Sequence, residues 1–541
     1  MRRLMLATCF GVMSITGCGG GGGGSPHQPP AGPPSYYVDC SASTNGSGTQ
    51  ASPWNSLATV NAVSFLPGDQ LLLKRGTSCQ GALKPLGSGS SGSPIVIDAY
   101  GAGAQPVIDG GMNDAVITLS DQQYWEIRNL EIVGGNKFGI FVWGNTPSSS
   151  LNHIHLINLN LHGAHFISTT TRDSGEVYMS PAGMNQVLND VLIDGVSAHD
   201  SQASQGILVQ AGGDYNGELA ACQQQPTPAA KIGSNITIRN SSVHDVYGDG
   251  IVLQAAENGR LQNNVVYNTG FCPTCGVTTS GLWEWCCHDC TIEGNESYAN
   301  HPSGGPYDGG DFAIDLYNVN NVLQYNYGHD SDGYCILVGP GSGPPAATNS
   351  VVRYNICTNN GRSSTIPPQG EILVLNNVSG VEIYNNTIHA NAAINSAALI
   401  AHTPSSSSVG IIENNIIYST GPQLIQVDSS YTRDYNFYWS TSSSMPAWEV
   451  NGVIYHSLIA YQAGSGQEAH SFYEDPLLND PTYHSPGRPT SAFTLQTGSP
   501  ARAAGTNVCA GITGCSMGTR DFFGNPLPNA TGYDVGANQA Q

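Results

Sequence analysis

Three stretches of the chain concentrate acidic and aromatic side chains: Trp283-Glu284-Trp285, residues 308–317 and His329-Asp330-Ser331-Asp332. Two carboxyl groups set about 5 Å or about 9 Å apart can cleave a glycosidic bond, one as the acid and the other as base or nucleophile. Crowded carboxyl groups also raise one another's pKa, which supplies the protonated acid. We therefore expect acid, base or nucleophile to come from Glu284, Asp311 and Asp315.

The same stretches offer groups that suit sugars and metal ions. Aromatic rings present flat apolar faces on which a sugar ring can stack. The residues expected to bind substrate are Trp283, Trp285, Tyr317, His329 and His244. Calcium prefers carboxylate and carbonyl oxygens, and the candidate calcium ligands are Asp308, Asp330 and Asp332. A calcium site without catalysis and a set of solvated turns remain alternative interpretations of this cluster.

A repeat along the chain is what brings these residues together. An aliphatic residue, a polar residue and, two positions later, often Asn recur in ten copies, mostly 29 to 31 residues apart, as in residues 292–295 and 323–326. Alternation of apolar and polar residues is typical of a strand with one buried face. Partners one repeat away indicate a parallel solenoid, in which equivalent side chains of neighbouring coils lie about 5 Å apart.

The predicted fold is therefore all-β, a single-stranded right-handed parallel β-helix of ten or more coils with N-terminal and C-terminal caps. Stacked Asn residues at the fourth repeat position predict an asparagine ladder. Two further columns follow each repeat, one of rings that includes His199, His244, Tyr267, Tyr298 and His329, and one of turn formers that includes Asp200, Asp245 and Asp330. We interpret most of these as a ring stack with hydrogen-bonded turns.

The ends of the chain predict export and attachment to a membrane. Residues 1–18 combine Arg2 and Arg3 with an apolar run too short to span a bilayer. Ile15-Thr16-Gly17-Cys18 resembles a bacterial lipobox, which implies lipidation of Cys18; an ordinary secretory signal is the alternative. We expect a Gly/Pro-rich tether over 19–35, a cap and first coils over 36–110, the β-helix over 111–430, and final coils with a cap over 431–541.

Fourteen cysteines in an exported chain favour disulfides. Plausible local pairs are Cys40 with Cys79, Cys335 with Cys357 and Cys509 with Cys515. The set Cys272, Cys275, Cys287 and Cys290 has the spacing of a zinc site. Disulfides are nevertheless the preferred interpretation for that set because the compartment is oxidising.

Several motifs resemble bacterial right-handed parallel β-helix proteins of the pectate-lyase-like superfamily: residues 36–38, 52–54, 67–69, 94–101 and 106–110, and the ending 521–526 with 532–537. This resemblance covers nearly all of the mature chain. It implies the fold, but the superfamily includes lyases, hydrolases, epimerases and adhesive tailspikes. Asp308 and Asp315 match the Asp-rich segment of uncharacterised relatives, whereas Ala313 stands where those proteins usually carry Asp.

The net negative charge of the chain limits which molecules it can bind. A net charge of −22 excludes a phosphate-binding stripe, so no nucleic-acid partner is expected. Basic residues such as Lys137 are scattered, and the acidic surface repels a polyuronate unless calcium bridges it. We therefore expect a lipid-anchored periplasmic or cell-surface enzyme that acts on a polysaccharide, with a glycoside hydrolase favoured. A calcium-dependent polysaccharide lyase and a non-catalytic glycan-binding or adhesive protein are the alternatives.

Overall fold

The computed structural model describes residues 34–541 apart from 166–172, 184, 213–231, 273, 340–346, 364–365, 367–368, 376–377, 392–396, 402–409 and 513–514. The export signal, Cys18 and most of the tether lie outside the described residues. In the part that is described, no helix is long and apolar enough to cross a bilayer.

Strands of the described chain form three long sheets with parallel neighbours. The first sheet contains Ser35–Val38, Gln70–Lys74, Ile95–Tyr100, Trp125–Arg128, Ser150–Ile157, Val187–Asp194, Gly233–Arg239, Arg260–Gln262, Thr291–Glu293, Val322–Gln324, Val351–Arg353, Glu382–Tyr384, Gly410–Glu413 and Tyr431–Asp434, with Ala256–Glu257 paired to one of them. The second contains Ser78–Gln80, Val107–Gly111, Glu131–Gly134, Asn160–His162, Ser197–Ser201, Ser242–Val246, Val265–Thr269, Glu296–Tyr298, Tyr327–His329, Ile356–Thr358, Thr387–Ala390, Ile416–Ser419, Phe437–Ser440 and Phe472–Tyr473. The third contains Ala115–Ser120, Phe138–Gly144, Gly175–Pro181, Gln205–Gln210, Asp249–Gln254, Leu282–Trp285, Phe312–Ile314, Ile336–Val338, Ile372–Val374, Leu399–Ala401, Gln423–Val427, Ala447–Val450 and the antiparallel Val453–Tyr455.

Each coil supplies one strand to each sheet in turn, so every strand pairs with its equivalent in the coils before and after. Ile292, for example, lies opposite Leu261 on one side and Leu323 on the other, and all three are fully buried. Two small sheets pair Ser64–Phe65 with Leu86–Gly87 and Asn318–Val319 with Ala347–Thr348. The predicted parallel β-helix is confirmed.

Among the described residues, two helices lie near the ends of the solenoid. Leu57–Val60 buries Leu57 and Val60 against the first coils. Leu458–Ser465 begins after Ser457, whose side chain accepts a hydrogen bond from the Ala460 N–H, and buries Tyr461 beside Trp448. Open strand edges invite pairing with other chains, so covering the ends protects the monomer.

The predicted asparagine ladder is present in the interior corner between the first and second sheets. Its members are Asn264, Asn295, Asn326, Asn355, Asn386, Asn415 and Asn436. Each Oδ1 from Asn295 onward accepts hydrogen bonds of 2.9–3.2 Å from the backbone N–H and the side-chain amide of the ladder residue one coil earlier. Asn160 stands at the fourth position of the repeat copy 157–160 and is therefore expected in the ladder, but it lies partly exposed in the second sheet and bonds His199.

Residues 474–541, which we call the C-terminal strap, run back along the outside of the second sheet instead of only closing the last coil. Phe493 and Phe522 of the strap pack in one cluster with Tyr327 of that sheet. The Gly487 N–H donates to Glu296 Oε1 at 2.6 Å. The expected C-terminal cap is thus also a cover along one flank.

The cysteine pairs expected from the sequence are confirmed. Disulfides join Cys40 to Cys79, Cys335 to Cys357 and Cys509 to Cys515.

Candidate active site on the outer face of the third sheet

The strand that carries Glu284 shows how the third sheet divides its side chains. Glu284 lies opposite Leu253 in the preceding coil and Ile314 in the next, and both of these are core residues with 0% exposure. Successive side chains of a strand alternate between the two faces of the sheet. Trp283 and Trp285 therefore lie on the outer face, and Glu284 points into the interior.

An apolar row runs along this outer face from coil to coil. Its buried members include Tyr178, Leu208, Val252, Trp283, Ala313, Leu337, Leu373 and Ile400. Trp285 is partly exposed at its side, 6.4 Å from the ring of Tyr317. The sequence-predicted Trp283, Trp285 and Tyr317 are thus brought together, and they give this face an aromatic wall.

Two carboxylates lie on either side of the short strand Phe312–Ile314. Asp308 precedes it in a left-handed turn with φ of 69° and Asp315 follows it directly, and both are partly exposed. The Asp315 N–H donates to the Glu284 carbonyl at 3.0 Å, which fixes the end of the strand against the neighbouring coil. The structure therefore places Asp315 beside the aromatic wall and Asp308 at the opposite end of the strand.

The hydroxyl group of Tyr334 contacts polar side chains from two neighbouring coils. It lies 2.7 Å from Ser280 Oγ and 3.4 Å from Asp308 Oδ1. Burial, together with the negative charges of Asp308 and Asp315, raises the pKa of Tyr334 well above its usual value. The phenol stays protonated and can donate to Asp308.

Glu284 and Asp311 do not join this surface. Glu284 is 1% exposed in the interior, and burial raises its pKa to about 8. Asp311 is fully buried, accepts hydrogen bonds from Asn300 Nδ2 at 2.9 Å and Ser331 Oγ at 2.6 Å, and has a pKa raised by burial. The expected surface trio does not form, because strand alternation turns Glu284 inward and the polar corner takes up Asp311. Only Asp315 of the three reaches the outer face.

His329 and His244 belong to the second sheet, on another side of the solenoid. They are part of a column of stacked rings with centroids 4.6–5.1 Å apart: His162, His199, His244, Tyr267, Tyr298 and His329. The expected ring stack is therefore present. His329 has no exposed side-chain surface; burial opposes its charge, but hydrogen bonds to Asp330 and Glu296 outweigh burial and raise its pKa.

The candidate calcium ligands have separate partners. Asp308 meets Tyr334, Asp332 accepts from His301 Nδ1 at 2.8 Å, and Asp330 pairs with His329 and with His484 of the C-terminal strap. The structure thus does not gather the three carboxylates around one point.

The four-cysteine zinc set does not assemble either. Cys272 and Cys275 form a disulfide with each other, whereas Cys287 and Cys290 are buried free thiols. The preference for a disulfide in this region holds for the first pair only.

Sequence reasoning did not find a cavity of about 280 Å³ farther along the same outer face. Its lining includes Phe141, Trp143 and Tyr178, with an ion pair between Lys137 Nζ and Asp173 Oδ2 at 2.9 Å. Five strand spacings separate it from the strand Phe312–Ile314, a distance of roughly 24 Å. The sequence does contain a signal for this cavity, because Phe141 and Trp143 are two positions apart in one strand and so point to the same face.

The comparisons with known proteins concern the fold. Residues 182–349 and 229–416 match the family model described as the right-handed beta helix region. A solved GH136 lacto-N-biosidase from Eubacterium ramulus is 18% identical with a TM-score of 0.52, covering 77% of this chain and 68% of that one. No curated protein sequence matches the chain.

Two further solved structures are similar over longer shares of the chain but less closely. Pectate lyase Pel9A is 16% identical with a TM-score of 0.43, covering 94% of this chain and 97% of that one. The A-module of the Azotobacter vinelandii mannuronan C-5 epimerase AlgE4 is 16% identical with a TM-score of 0.41, covering 81% and 100%. With the sheets described above, the family match establishes a right-handed parallel β-helix.

Proposed function

We propose that this right-handed parallel β-helix of the pectate-lyase-like superfamily is a carbohydrate-active enzyme, a glycoside hydrolase that cleaves a polysaccharide at the outer face of the third sheet. Asp308 and Asp315 are its two reacting carboxyl groups. The observation that carries the proposal is their placement: both are partly exposed on either side of one strand, near the same buried phenol of Tyr334. Glu284 and Asp311, the other acids expected to react, are buried.

Glycoside hydrolysis requires one protonated carboxyl group to protonate the leaving oxygen and one carboxylate to act as nucleophile or to activate water. Asp308 and Asp315 divide these two roles. The hydrogen bond from Tyr334 holds the Asp308 carboxyl group in position. The fold likeness to the lacto-N-biosidase concerns architecture, so the chemistry rests on the carboxylates themselves.

Aromatic side chains at two places on this face supply binding surface for the glycan. Trp285 is partly exposed, with the buried Trp283 and Tyr317 packed around it, and the cavity at Trp143 lies on the same face. A chain of sugars that follows the solenoid axis would contact both places. This arrangement suits a polymeric substrate better than a single sugar.

A lyase is the second candidate, and the ion pair of Lys137 with Asp173 in the distal cavity favours it. An ammonium group can neutralise a uronate carboxylate before elimination, with calcium as a bridging ion where the protein surface is acidic. We also propose that either activity takes place outside the cytoplasm, with the chain anchored to a bacterial membrane through lipidated Cys18. The disulfides of the fold support that location.

The test is a screen of the purified mature protein against plant, algal and bacterial polysaccharides, with and without a chelator. On a cleaved glycan, Asp308→Asn and Asp315→Asn should each lower kcat by about 10²–10⁴-fold, the usual contribution of an acid or base. Asp200→Asn is the matched control, because Asp200 is an exposed carboxylate in a turn of the second sheet.

Each alternative outcome contradicts a different part of the proposal. Full activity in both aspartate variants would rule out the assigned site. Products with ultraviolet absorption from an unsaturated uronate, lost in Lys137→Ala, would identify a lyase. Binding of glycans with no cleavage of any would identify a non-catalytic surface protein.

A further inference from the structure

Glu284 carries a carboxyl group that is buried in an apolar column of the core. This carboxyl group lies between the levels of Leu253 and Ile314. The neighbouring side chain of Asn321 makes no hydrogen bond of normal geometry to either of its oxygens. An unpaired carboxylate costs many kcal/mol in such a medium, so buried groups of this kind are neutralised or bound to a cation. A buried polar group without a partner calls for an unseen ion or water.

Two free thiols lie beside this carboxyl group. Cys287 and Cys290 are 0% and 1% exposed, and neither forms a disulfide. One oxygen of Glu284 and the two sulfur atoms all lie within 4.8 Å of one another. Three potential ligand atoms therefore converge on one point in the interior.

We propose that Glu284, Cys287 and Cys290 bind a zinc ion inside the β-helix. Zinc takes thiolate and carboxylate ligands at about 2.3 Å and about 2.0–2.2 Å in a tetrahedral arrangement. Such a geometry places ligand atoms roughly 3.3–3.8 Å apart, so the observed grouping needs only small side-chain movements. The ion would neutralise most of the charge of two thiolates and a carboxylate, and it leaves one coordination position for a further ligand.

The position of the thiols in the fold supports this assignment. The Cys287 and Cys290 N–H groups donate to the Oδ1 atoms of Asn318 and Asn321 in the next coil. Asn318 Nδ2 reaches back to the Glu284 carbonyl at 3.2 Å. At the equivalent place, the Cys287 thiol makes only weak sulfur contacts, of 3.5 Å to the Leu253 carbonyl and 3.6 Å to the Trp285 carbonyl. A thiol replaces the amide poorly as a donor, whereas a thiolate is a strong zinc ligand.

The competing explanation is that both thiols and the carboxyl group are simply protonated. In that case the cysteines would be small buried side chains, and Glu284 would be a neutral acid in the core. A third arrangement, a disulfide between Cys287 and Cys290, would remove both sulfur ligands. These explanations differ in metal content and in thiol count, which can be measured without any glycan substrate.

The experiment measures metal in the full mature chain, purified without chelator and dialysed against zinc. We expect about one zinc ion per chain by elemental mass spectrometry, and its loss in the Cys287→Ser/Cys290→Ser double variant and in Glu284→Gln. The Cys509→Ser/Cys515→Ser double variant, which removes a disulfide near the surface, is the control that should keep the ion.

Cobalt(II) gives a second measurement that does not depend on whether the variants fold. Wild-type protein refolded with cobalt should show thiolate-to-cobalt charge-transfer absorption. Zinc-free protein with two thiols that react only after denaturation, and no cobalt absorption, would overturn the proposal. A Cys287–Cys290 disulfide found by peptide mass spectrometry would overturn it as well.

Discussion

The inner and outer faces of the third sheet give neighbouring acidic residues opposite environments, one buried and one partly exposed. Glu284 is enclosed by Leu253 and Ile314, while Asp315, one position beyond Ile314 in the next coil, is partly exposed near the phenol of Tyr334. The two carboxyl groups are neighbours across one pair of coils. Their environments differ because successive side chains of a strand alternate between the two faces of the sheet. The acid on the outer face can react with a substrate. The acid on the inner face can only be neutralised or bound by a cation.

The largest expected difference comes from placing the same polar side chain on the two faces. Ile314→Asn puts an amide without partners into the core and should lower the free energy of unfolding by about 3–5 kcal/mol. Asp315→Asn, the adjacent isosteric change on the outside, should cost less than about 0.5 kcal/mol. Urea denaturation followed by circular dichroism measures both. Equal losses would mean that Asp315 is part of the core.

A smaller difference is expected between asparagines inside and outside the coil. Asn326→Ala removes the Oδ1 acceptor of two hydrogen bonds from Asn295 and the amide donated to the Ile292 carbonyl, so we expect a loss of about 2–3 kcal/mol. Asn320→Gly alters an exposed turn residue with φ of 58°, which Gly also adopts, and should change stability by less than about 1 kcal/mol. If the two variants unfold at the same urea concentration, the ladder does not stabilise the coil.

A third difference is a slope of stability with pH. Burial raises the pKa of Glu371 from 4.5 to about 8, against hydrogen bonds from Asn360 that lower it. Between those values the folded state holds the proton and the unfolded state does not, so this group stabilises the fold at low pH and the stability is lost as pH rises toward 8. Each such group contributes about 1.4 kcal/mol per pH unit.

Glu371→Gln should flatten the pH dependence of unfolding by that amount, and the exposed Glu474→Gln should leave it unchanged. Thermal unfolding between pH 5 and pH 8 measures the slope. A wild-type protein that becomes more stable over this range would show that Glu371 is ionised in the fold.

The repeat made the architecture predictable because it is a local signal repeated many times. Ile292 and Leu323 could be placed in the core from alternation alone, and the Asn residues of the ladder could be placed from their spacing. Even here, an offset of one residue misassigned Asn160, since Leu159 takes the corner position. Spacing resolves coils well, but it resolves the two faces of a strand only when the register is right.

The candidate site was only partly predictable, because the sequence pattern did not always show which face of a strand a side chain occupies. Trp283, Trp285, Asp308 and Asp315 were found by their chemistry, and the two tryptophans and Asp315 share the outer face. Glu284 was grouped with them because its own strand is short and two tryptophans surround it, so the pattern gave no clear apolar phase. Tyr334 follows Asp330 and Asp332 in its own coil, and only the fold shows its approach to Asp308 of the coil before.

The C-terminal strap changes how such a solenoid can come apart. A stack of coils joined only to nearest neighbours frays from its ends, one repeat after another. The strap links Gly487 to Glu296 across 191 positions and Arg488 to the Tyr325 carbonyl across 163, so coils in the middle of the stack are tied to the end of the chain. Loosening the last coils therefore also uncovers the middle ones. We expect the protein to unfold cooperatively, in one all-or-none step like a globular domain. The same contacts mean that the solenoid is fully covered only after the strap has folded.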